Sequence, residues 1–267
     1  MTLAERFPDL VLDGPDERGL LRLTLSNPGR RNALTLAQHR QLAELWPHAD
    51  ADPAVSAVLV RGDGDAFSAG GDFAMLEAMV EDPAVRVAVF EEARLLVHNL
   101  VACATPVVAA VRGPAVGAGL TVALLADVCV AAADARLLDG HVRIGVPAGD
   151  HAVLVWPLLC GMANAKRHLL LPDAITGAEA QRMGLVAECA PDEQVEEVAE
   201  ELAGRLAAAS RDAVRWTKRA LHGWLHQALP AFDASLALEF LAFGQDDARE
   251  GLAAVRERRD PRFGPAR

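Results

Sequence analysis

Two stretches of small residues and one histidine loop carry the chemistry legible in this sequence. The first stretch, Phe67-Ser68-Ala69-Gly70-Gly71-Asp72-Phe73, follows the apolar run Val55 to Val60. The second, Gly113-Pro114-Ala115-Val116-Gly117-Ala118-Gly119, follows the apolar run Val107 to Val111. Each reads as a strand, a tight turn and the opening of a helix. The first N–H groups of a helix have no partner within it and lie at the positive end of its dipole. Two such turns can each offer one peptide N–H to a single oxygen. A donor aimed in advance at an oxygen that gains charge is worth roughly 3 kcal/mol of barrier.

The histidine loop runs from Asp139 to Asp150 and contains His141. An imidazole titrates near neutral pH and can serve as general acid or base. Asp150, nine positions on, could fix its tautomer and stabilise the imidazolium. Packing of His141 within the loop and capping of the next helix by Asp150 would account for the same residues without catalysis. His151 beside Asp150 is an alternative base. His222 and His226 stand four apart on an expected helix, a spacing that can bind metal. No H-E-x-x-H pattern accompanies them, so a solvated helix face is expected there and no metal site is assigned. Asp72 either borders the pocket or caps the following helix, and Glu77 is a candidate substrate-facing acid.

These residues need a framework, and the periodicity supplies one. Two short strands are expected around Leu10 to Asp13 and Leu20 to Leu25, with a turn at Asp13-Gly14-Pro15. Thr35 with Gln38 fits a capping box that opens a helix, which Pro47 and Pro53 are expected to end. Asp82-Pro83 opens another, with the stripe Val89, Leu96, Leu100. A buried helix ending near Ala126 follows the second glycine turn, then strands at Val128 to Ala132 and Ala135 to Leu138. Val153 to Met162 reads as a buried helix containing Pro157. Thr176 and Glu179 form a second capping box, Gly184 ends that helix, and Leu185 to Cys189 is a strand. From Pro191 onward only helices are expected: Glu193 to Ala209, Asp212 to His222, Phe232 to Phe243 and Asp246 to Arg259. That change divides the chain into a core, residues 1–205, and a helical region, residues 206–267.

Composition narrows the function classes. A chain of 267 residues with 52% hydrophobic content can bury a large core. Its formal net charge of −11 argues against a nucleic-acid partner, which needs a basic face. A polyanionic ligand would need local basic patches. Arg30 and Arg31 could pair with phosphates or form a solvated loop, and Arg256, Arg258 and Arg259 with Phe263 pose the same choice. The Ala/Gly-rich stretch from Gly113 to Ala133 suits a buried strand–helix–strand unit better than a membrane span. The third glycine of a dinucleotide turn is missing after Gly119. Cys103, Cys129, Cys160 and Cys189 lack metal-ligand spacing, and MTLAERFPDL has no apolar targeting core. Reduced thiols in a cytoplasmic protein are expected.

The two small-residue turns, with Leu120 after the second and Asp127 after the helix, resemble the crotonase superfamily of enoyl-CoA hydratases and isomerases. Asn27-Pro28-Gly29-Arg30-Arg31-Asn32-Ala33-Leu34-Thr35 is similar to its CoA-contacting segment. Ala178 to Val186 resembles its late helix–strand step, and Asp246 to Leu252 its C-terminal helix. The resemblance implies an α/β fold, a superhelical spiral of ββα turns, whose C-terminal helices build a homotrimer or a dimer of trimers. It implies an acyl-CoA substrate, coenzyme A being part of that substrate and no separate cofactor being needed. It assigns the thioester oxygen to the peptide N–H groups of Ala69 and Ala118. Substrate or CoA contacts fall to Arg30, Arg31, Ala33, Ser68, Gly70, Asp72, Phe73, Gly117 and Thr121.

The sequence departs from the hydratases at the acid–base positions. Their two glutamates would fall at Thr121 and His141, and neither is a carboxylate. The His141 to Asp150 spacing, with Val155-Trp156-Pro157 beyond it, is similar to a sub-branch of carbon–carbon bond hydrolases that includes 6-oxocamphor hydrolase. The leading expectation is a hydratase-like enzyme working through an enolate-type intermediate. A β-diketone hydrolase using His141 and Asp150, and a non-catalytic acyl-CoA-binding protein, stand as alternatives.

Overall fold

Short β-branched and alanine-rich runs alternate with amphipathic helices, and the central run, Val107 to Val111, is buried on both faces, as an inner parallel strand requires. The computed structural model describes residues 1–264; residues 265–267, the end of the expected helical region, lie outside the described residues. In chain order the elements begin with α1 (Leu3–Arg6), β1 (Val11–Asp13), β2 (Leu20–Leu25), α2 (Leu36–Ala51) and β3 (Ala57–Gly62). Then come α3 (Phe73–Glu81), α4 (Pro83–Ala102), β4 (Val107–Val111), β5 (Pro114–Val116), α5 (Gly117–Leu125), β6 (Val128–Ala132) and β7 (Arg136–Leu138). The chain closes with α6 (Ala152–Leu170), β8 (Ile175–Thr176), α7 (Gly177–Met183), β9 (Glu188–Ala190), α8 (Val195–Ala208), α9 (Arg211–Ala242) and α10 (Asp246–Glu257).

Six strands form one sheet in the order β1-β2-β3-β4-β6-β9, antiparallel only at β1–β2. The order β5-β7-β8 makes a second, smaller sheet, and Ser68 joins it by a parallel bridge to Ala115. Successive turns of chain therefore repeat one plan. A strand enters the large sheet, a short segment enters the small one, and a helix returns, which is the expected ββα spiral. Val107 to Val111 are all fully buried in β4, between strands β3 and β6.

Both capping boxes form, Thr35 with Gln38 and Thr176 with Glu179. The helix expected to stop at Pro47 runs on to Ala51. Proline removes the N–H that would bond the carbonyl four residues back. That carbonyl, Ala43, is taken instead by Asn99 Nδ2 of α4 at 2.8 Å. The two helices expected at Asp212 to His222 and Phe232 to Phe243 are one, α9, with Pro230 inside it. The helix expected to end at Met162 continues to Leu170 through a break at Gly161, whose φ is +78°. Residue 205 falls inside α8, whose buried Val195, Ala199 and Ala203 lie on a helix packed along β3, β4 and β6.

Candidate active site

Between the two glycine turns, α2 to α4, and the ends of α9 and α10 lies a cavity of about 1020 Å³. That is ample for a drug-sized ligand. Its floor is the pair of turns. Val116 N–H bonds Ser68 C=O at 3.0 Å, and Ser68 N–H bonds Pro114 C=O at 3.0 Å. The contact admits nothing larger than glycine at 119, because a Cβ there would collide with the Ser68 side chain.

The backbone bonds decide which amides are available to a ligand. Ala69 N–H donates to Arg31 C=O at 2.9 Å, so it is already used. Arg31 and Asn32 hold left-handed dihedrals, φ +48° and +56°. Non-glycine residues seldom adopt that region. Asn32 pins the bend by donating from Nδ2 to Asp63 C=O and Ala66 C=O at 2.8 and 2.7 Å. The expected Ala69 donor is therefore corrected. Gly71 N–H, two residues on, has no protein acceptor among the described residues, and Gly71 lines the cavity. Ala118 is the second residue of α5, where an N–H has no acceptor within the helix. It lines the cavity too. An ideal Cβ on Gly117 would stand 3.3 Å from Gly70 Cα and 4.0 Å from Gly71 N, so the two turns are in contact at this point.

His141 enters the same cavity from the loop after β7. Its Nδ1 is bonded to Asp139 Oδ1 at 3.0 Å, and its Nε2 stands 3.7 Å from Asp150 Oδ2 and 3.5 Å from Glu239 Oε1. The orienting carboxylate is thus Asp139, not the expected Asp150. An Asp two residues before a His was visible in the sequence as a D-x-H pattern. Asp150 is hydrogen-bonded instead to His151 Nδ1 at 2.5 Å and to Thr121 Oγ1 at 3.1 Å. All six of these side chains are buried or nearly so. The loop is fixed from outside. Gly251 of α10 lies against the Ile144 carbonyl so closely that a Cβ would collide with it. Ser235 Oγ of α9 bonds Gly149 C=O at 3.1 Å.

Charge is distributed unevenly here. Burial opposes the charged form of His141, but Asp139, Asp150 and Glu239 outweigh it and hold the imidazole well above its ordinary value. Burial pushes the Glu239 carboxyl up to about 8; repulsion from Asp150 and Asp139 adds to this and attraction to His141 offsets part. Burial would also raise Asp150, yet His151 and His141, with hydrogen bonds from His151 and Thr121, hold it below the carboxylate range. At neutral pH the wall thus favours an imidazolium beside a neutral carboxylic acid. Asp139 Oδ2 and Glu239 Oε2 have no hydrogen-bond partner among the described residues.

Against known proteins, the enoyl-CoA hydratase/isomerase family model matches residues 16–266. The chain belongs to the enoyl-CoA hydratase/isomerase family. The 2,3-dehydroadipyl-CoA hydratase of Escherichia coli is 33% identical over 252 residues, covering 92% of this chain and 96% of that protein. The 1,2-epoxyphenylacetyl-CoA isomerase of Escherichia coli is 29% identical over 250 residues, 92% and 95%. A crystal structure of an enoyl-CoA hydratase/isomerase from Mycobacterium paratuberculosis superposes with a TM-score of 0.87 at 33% identity, covering 91% of this chain and 97% of that one.

Within this family fold the other expected residues divide. Arg30, Arg31, Ala33, Gly70, Phe73 and Gly117 line the cavity, as do Asp72 and Thr121. Asp72 also caps α3, accepting from Met75 N–H at 2.7 Å. Ser68 does not line it; fully buried, it donates to Asn32 C=O at 2.8 Å and holds the first turn in place. Glu77 pairs with Arg256, and Arg259 with Glu250 and Glu257. Arg258 lines the cavity, as does Arg143, which the sequence reading missed. His222 is buried rather than solvated, its Nδ1 bonded to Val101 C=O at 2.8 Å, while His226 is exposed. They share no site.

Two overlapping sets could hold a cation: His141, Asp150 and Glu239, and Asp139, Asp150 and His151. Each has donor atoms within 4.8 Å of one another. Asp150 already spends its oxygens on Thr121 and His151. No helix among the described residues is long and apolar enough to cross a membrane.

Proposed function

We propose that the chain is an enzyme acting on an acyl-CoA thioester through an enolate-type intermediate. The peptide N–H groups of Gly71 and Ala118 receive the thioester oxygen, and His141 Nε2 carries the proton. The observation behind this reading is the pair of uncommitted N–H groups in two touching turns, on a cavity that His141 also lines. Charge drawn onto the oxygen lowers the cost of forming a carbanion next to the carbonyl. Asp150, ionised on the same wall, takes the proton released from the substrate carbon or from an attacking water as the enolate forms, and His141, held cationic at neutral pH, supplies a proton to that carbon or to a leaving group. Glu239, neutral and within 3.5 Å of Nε2, can return it. Thr121 cannot stand in for a glutamate base, because its hydroxyl does not ionise near neutrality.

Arg30, Arg31, Arg143 and Arg258 line the cavity, and none forms an ion pair among the described residues. They form the local basic patch that a CoA polyphosphate needs against a net charge of −11. A second reading, cleavage of a β-diketone carbon–carbon bond, is favoured by the imidazole and its carboxylates where two glutamates would serve hydration. There Asp150, ionised on the cavity wall 3.7 Å from Nε2, takes the proton of the attacking water, cationic His141 protonates the carbon of the expelled enolate, and the same N–H pair receives the enolate's oxygen. On the surface, Trp216, Leu221 and Trp224 of α9 are exposed by 66%, 63% and 65%. A patch of that kind marks an interface, and we assign it to a homotrimer or dimer of trimers, which sedimentation would refute by showing a monomer.

Crotonyl-CoA, a β-ketoacyl-CoA and a cyclic β-diketone separate the readings. Turnover of a CoA ester is expected. Turnover of the diketone alone selects the second reading. Tight CoA-ester binding with no turnover of any selects a binding protein.

A further inference from the structure

The far wall of the cavity is apolar, built from Met75, Met79, Val89, Ala93 and Leu96, with one exception. His39 of α2 lines it too, although the residue is 3% exposed. Its Nδ1 is bonded to Glu92 Oε2 of α4 at 2.9 Å, and the Glu92 side chain is 13% exposed. Arg40 reaches the other Glu92 oxygen at 3.3 Å.

Joining two helices does not require this pair. α2 and α4 already pack against each other, and each carries buried apolar residues, Leu42, Leu45 and Trp46 on α2 and Leu96, Val97 and Leu100 on α4. Asn99 adds its bond to the Ala43 carbonyl. Burying an ionisable pair where apolar side chains would pack equally well brings little or negative stability. With Nδ1 held by Glu92, Nε2 is the ring's free hydrogen-bonding atom, and it has no partner among the described residues. That atom is not sealed off, and His39 reaches open space where it lines the cavity.

We infer that His39 and Glu92 form a second polar subsite, which recognises an uncharged oxygen, a hydroxyl or a ketone carbonyl, borne on the acyl chain. The inference rests on the acyl-thioester reading above and adds the substrate class. Nε2 accepts a hydrogen bond from a hydroxyl when the ring is neutral and donates to a carbonyl when it is protonated. A carboxylate at this point would face the Glu92 anion. An apolar chain would leave the ring nitrogen dehydrated and unpaired, and unpaired buried polar groups are what make such sites selective.

Isothermal titration tests this with the full-length protein. The titrants are saturated C6 to C8 acyl-CoA esters and counterparts bearing one hydroxyl or one keto group at successive carbons. The wild type should bind one oxygenated ester at least ~10-fold more tightly than its parent. His39→Leu should erase that ratio, and His39→Gln, which keeps a hydrogen-bonding group, should retain part of it. If His39→Leu does not fold, His39→Met supplies the apolar arm. The hydroxyl and keto arms tell which oxygen is read. Parent and oxygenated esters binding alike in the wild type, or a preference that survives His39→Leu, overturns the subsite alone. No binding of any ester overturns the acyl-thioester reading together with it.

Discussion

Nε2 of His141 faces Oε1 of Glu239 at 3.5 Å across a buried wall, one residue on the loop after β7 and the other on α9. The pair has opposite tendencies to those of a surface ion pair. Burial favours the neutral form of both groups, but the fixed carboxylates around them reverse the effect for the imidazole and reinforce it for Glu239. The result is a raised imidazole beside a raised carboxyl on the cavity wall, with Nδ1 of the ring bonded to Asp139 at 3.0 Å.

Replacing Glu239 by Gln should flatten the alkaline side of the stability curve. A carboxyl whose folded-state value is about 8 binds a proton that the unfolded chain, at 4.5, has released. Stability therefore falls with rising pH between these values, by up to about 1.4 kcal/mol per pH unit for one proton. His141, raised, adds to the decline: its contribution is complete below 6.5 and is lost as pH climbs through its folded value. Glu239→Gln removes only the first part. Urea unfolding should show the two proteins converging near pH 5 and the variant gaining steadily toward pH 8. Parallel curves would show that Glu239 is ionised in the fold.

His141→Ala should lower kcat on the best accepted substrate at least ~100-fold, the scale of a lost general acid or base. KM should change less, because the proposed site holds the thioester oxygen by the backbone, not by His141. Unaltered turnover would remove His141 from the chemistry and leave Glu239 or His151 as the proton carrier.

Gly71→Pro distinguishes the two amides of the first turn. Proline deletes the N–H, and the loss of one such donor costs 10²–10³ in kcat by order of magnitude. Gly71→Ala keeps the N–H, and its Cβ would meet Leu76 and Met75 at an ordinary 3.5 Å, so it should lose far less. Both variants are checked for fold by thermal melting. Comparable kcat in the two would return the donor role to another group.

What could be read from the sequence was mostly what is decided locally. Thr35 with Gln38 and Thr176 with Glu179 close their capping boxes within four residues, and Gly184 ends α7 in the left-handed region. Pro47 misled because the carbonyl it frees is taken by Asn99, more than fifty positions away. The choice of Gly71 over Ala69 rests on a carbonyl, Arg31, aimed by a bend whose dihedrals no side-chain pattern announces. Glu239 and His39 were missed because each lies on a helix that reads as ordinary packing. Only the folded chain brings them, from positions 98 and 102 residues away respectively, to the cavity shared with His141.

Asp127, which the sequence marked after α5, gives the last prediction. It accepts from Val107 N–H at 2.7 Å and from Lys218 Nζ at 2.7 Å, and His222 Nε2 stands 3.3 Å away. Lys218, 5% exposed, also donates to Thr105 C=O at 2.8 Å. These bonds fasten α9, which carries Glu239, to the start of β4. Burial would raise the Asp127 carboxyl, but the hydrogen bond from His222 and the charge of Lys218 lower it overall. Lys218→Met keeps the stem volume and leaves the carboxylate short of a cation. Breaking a buried pair on one side costs about 3–5 kcal/mol. Urea unfolding at pH 7 should show a loss of that order. A depressed carboxyl contributes stability above its ordinary 3.8 that is lost as pH falls through the folded value, so the deficit should narrow in acid. Asp127→Asn in the Lys218→Met background should restore part of the loss, because the uncompensated charge goes with it. A deficit that neither narrows in acid nor responds to Asp127→Asn would mean that Lys218 acts through the packing of its stem, not through its charge.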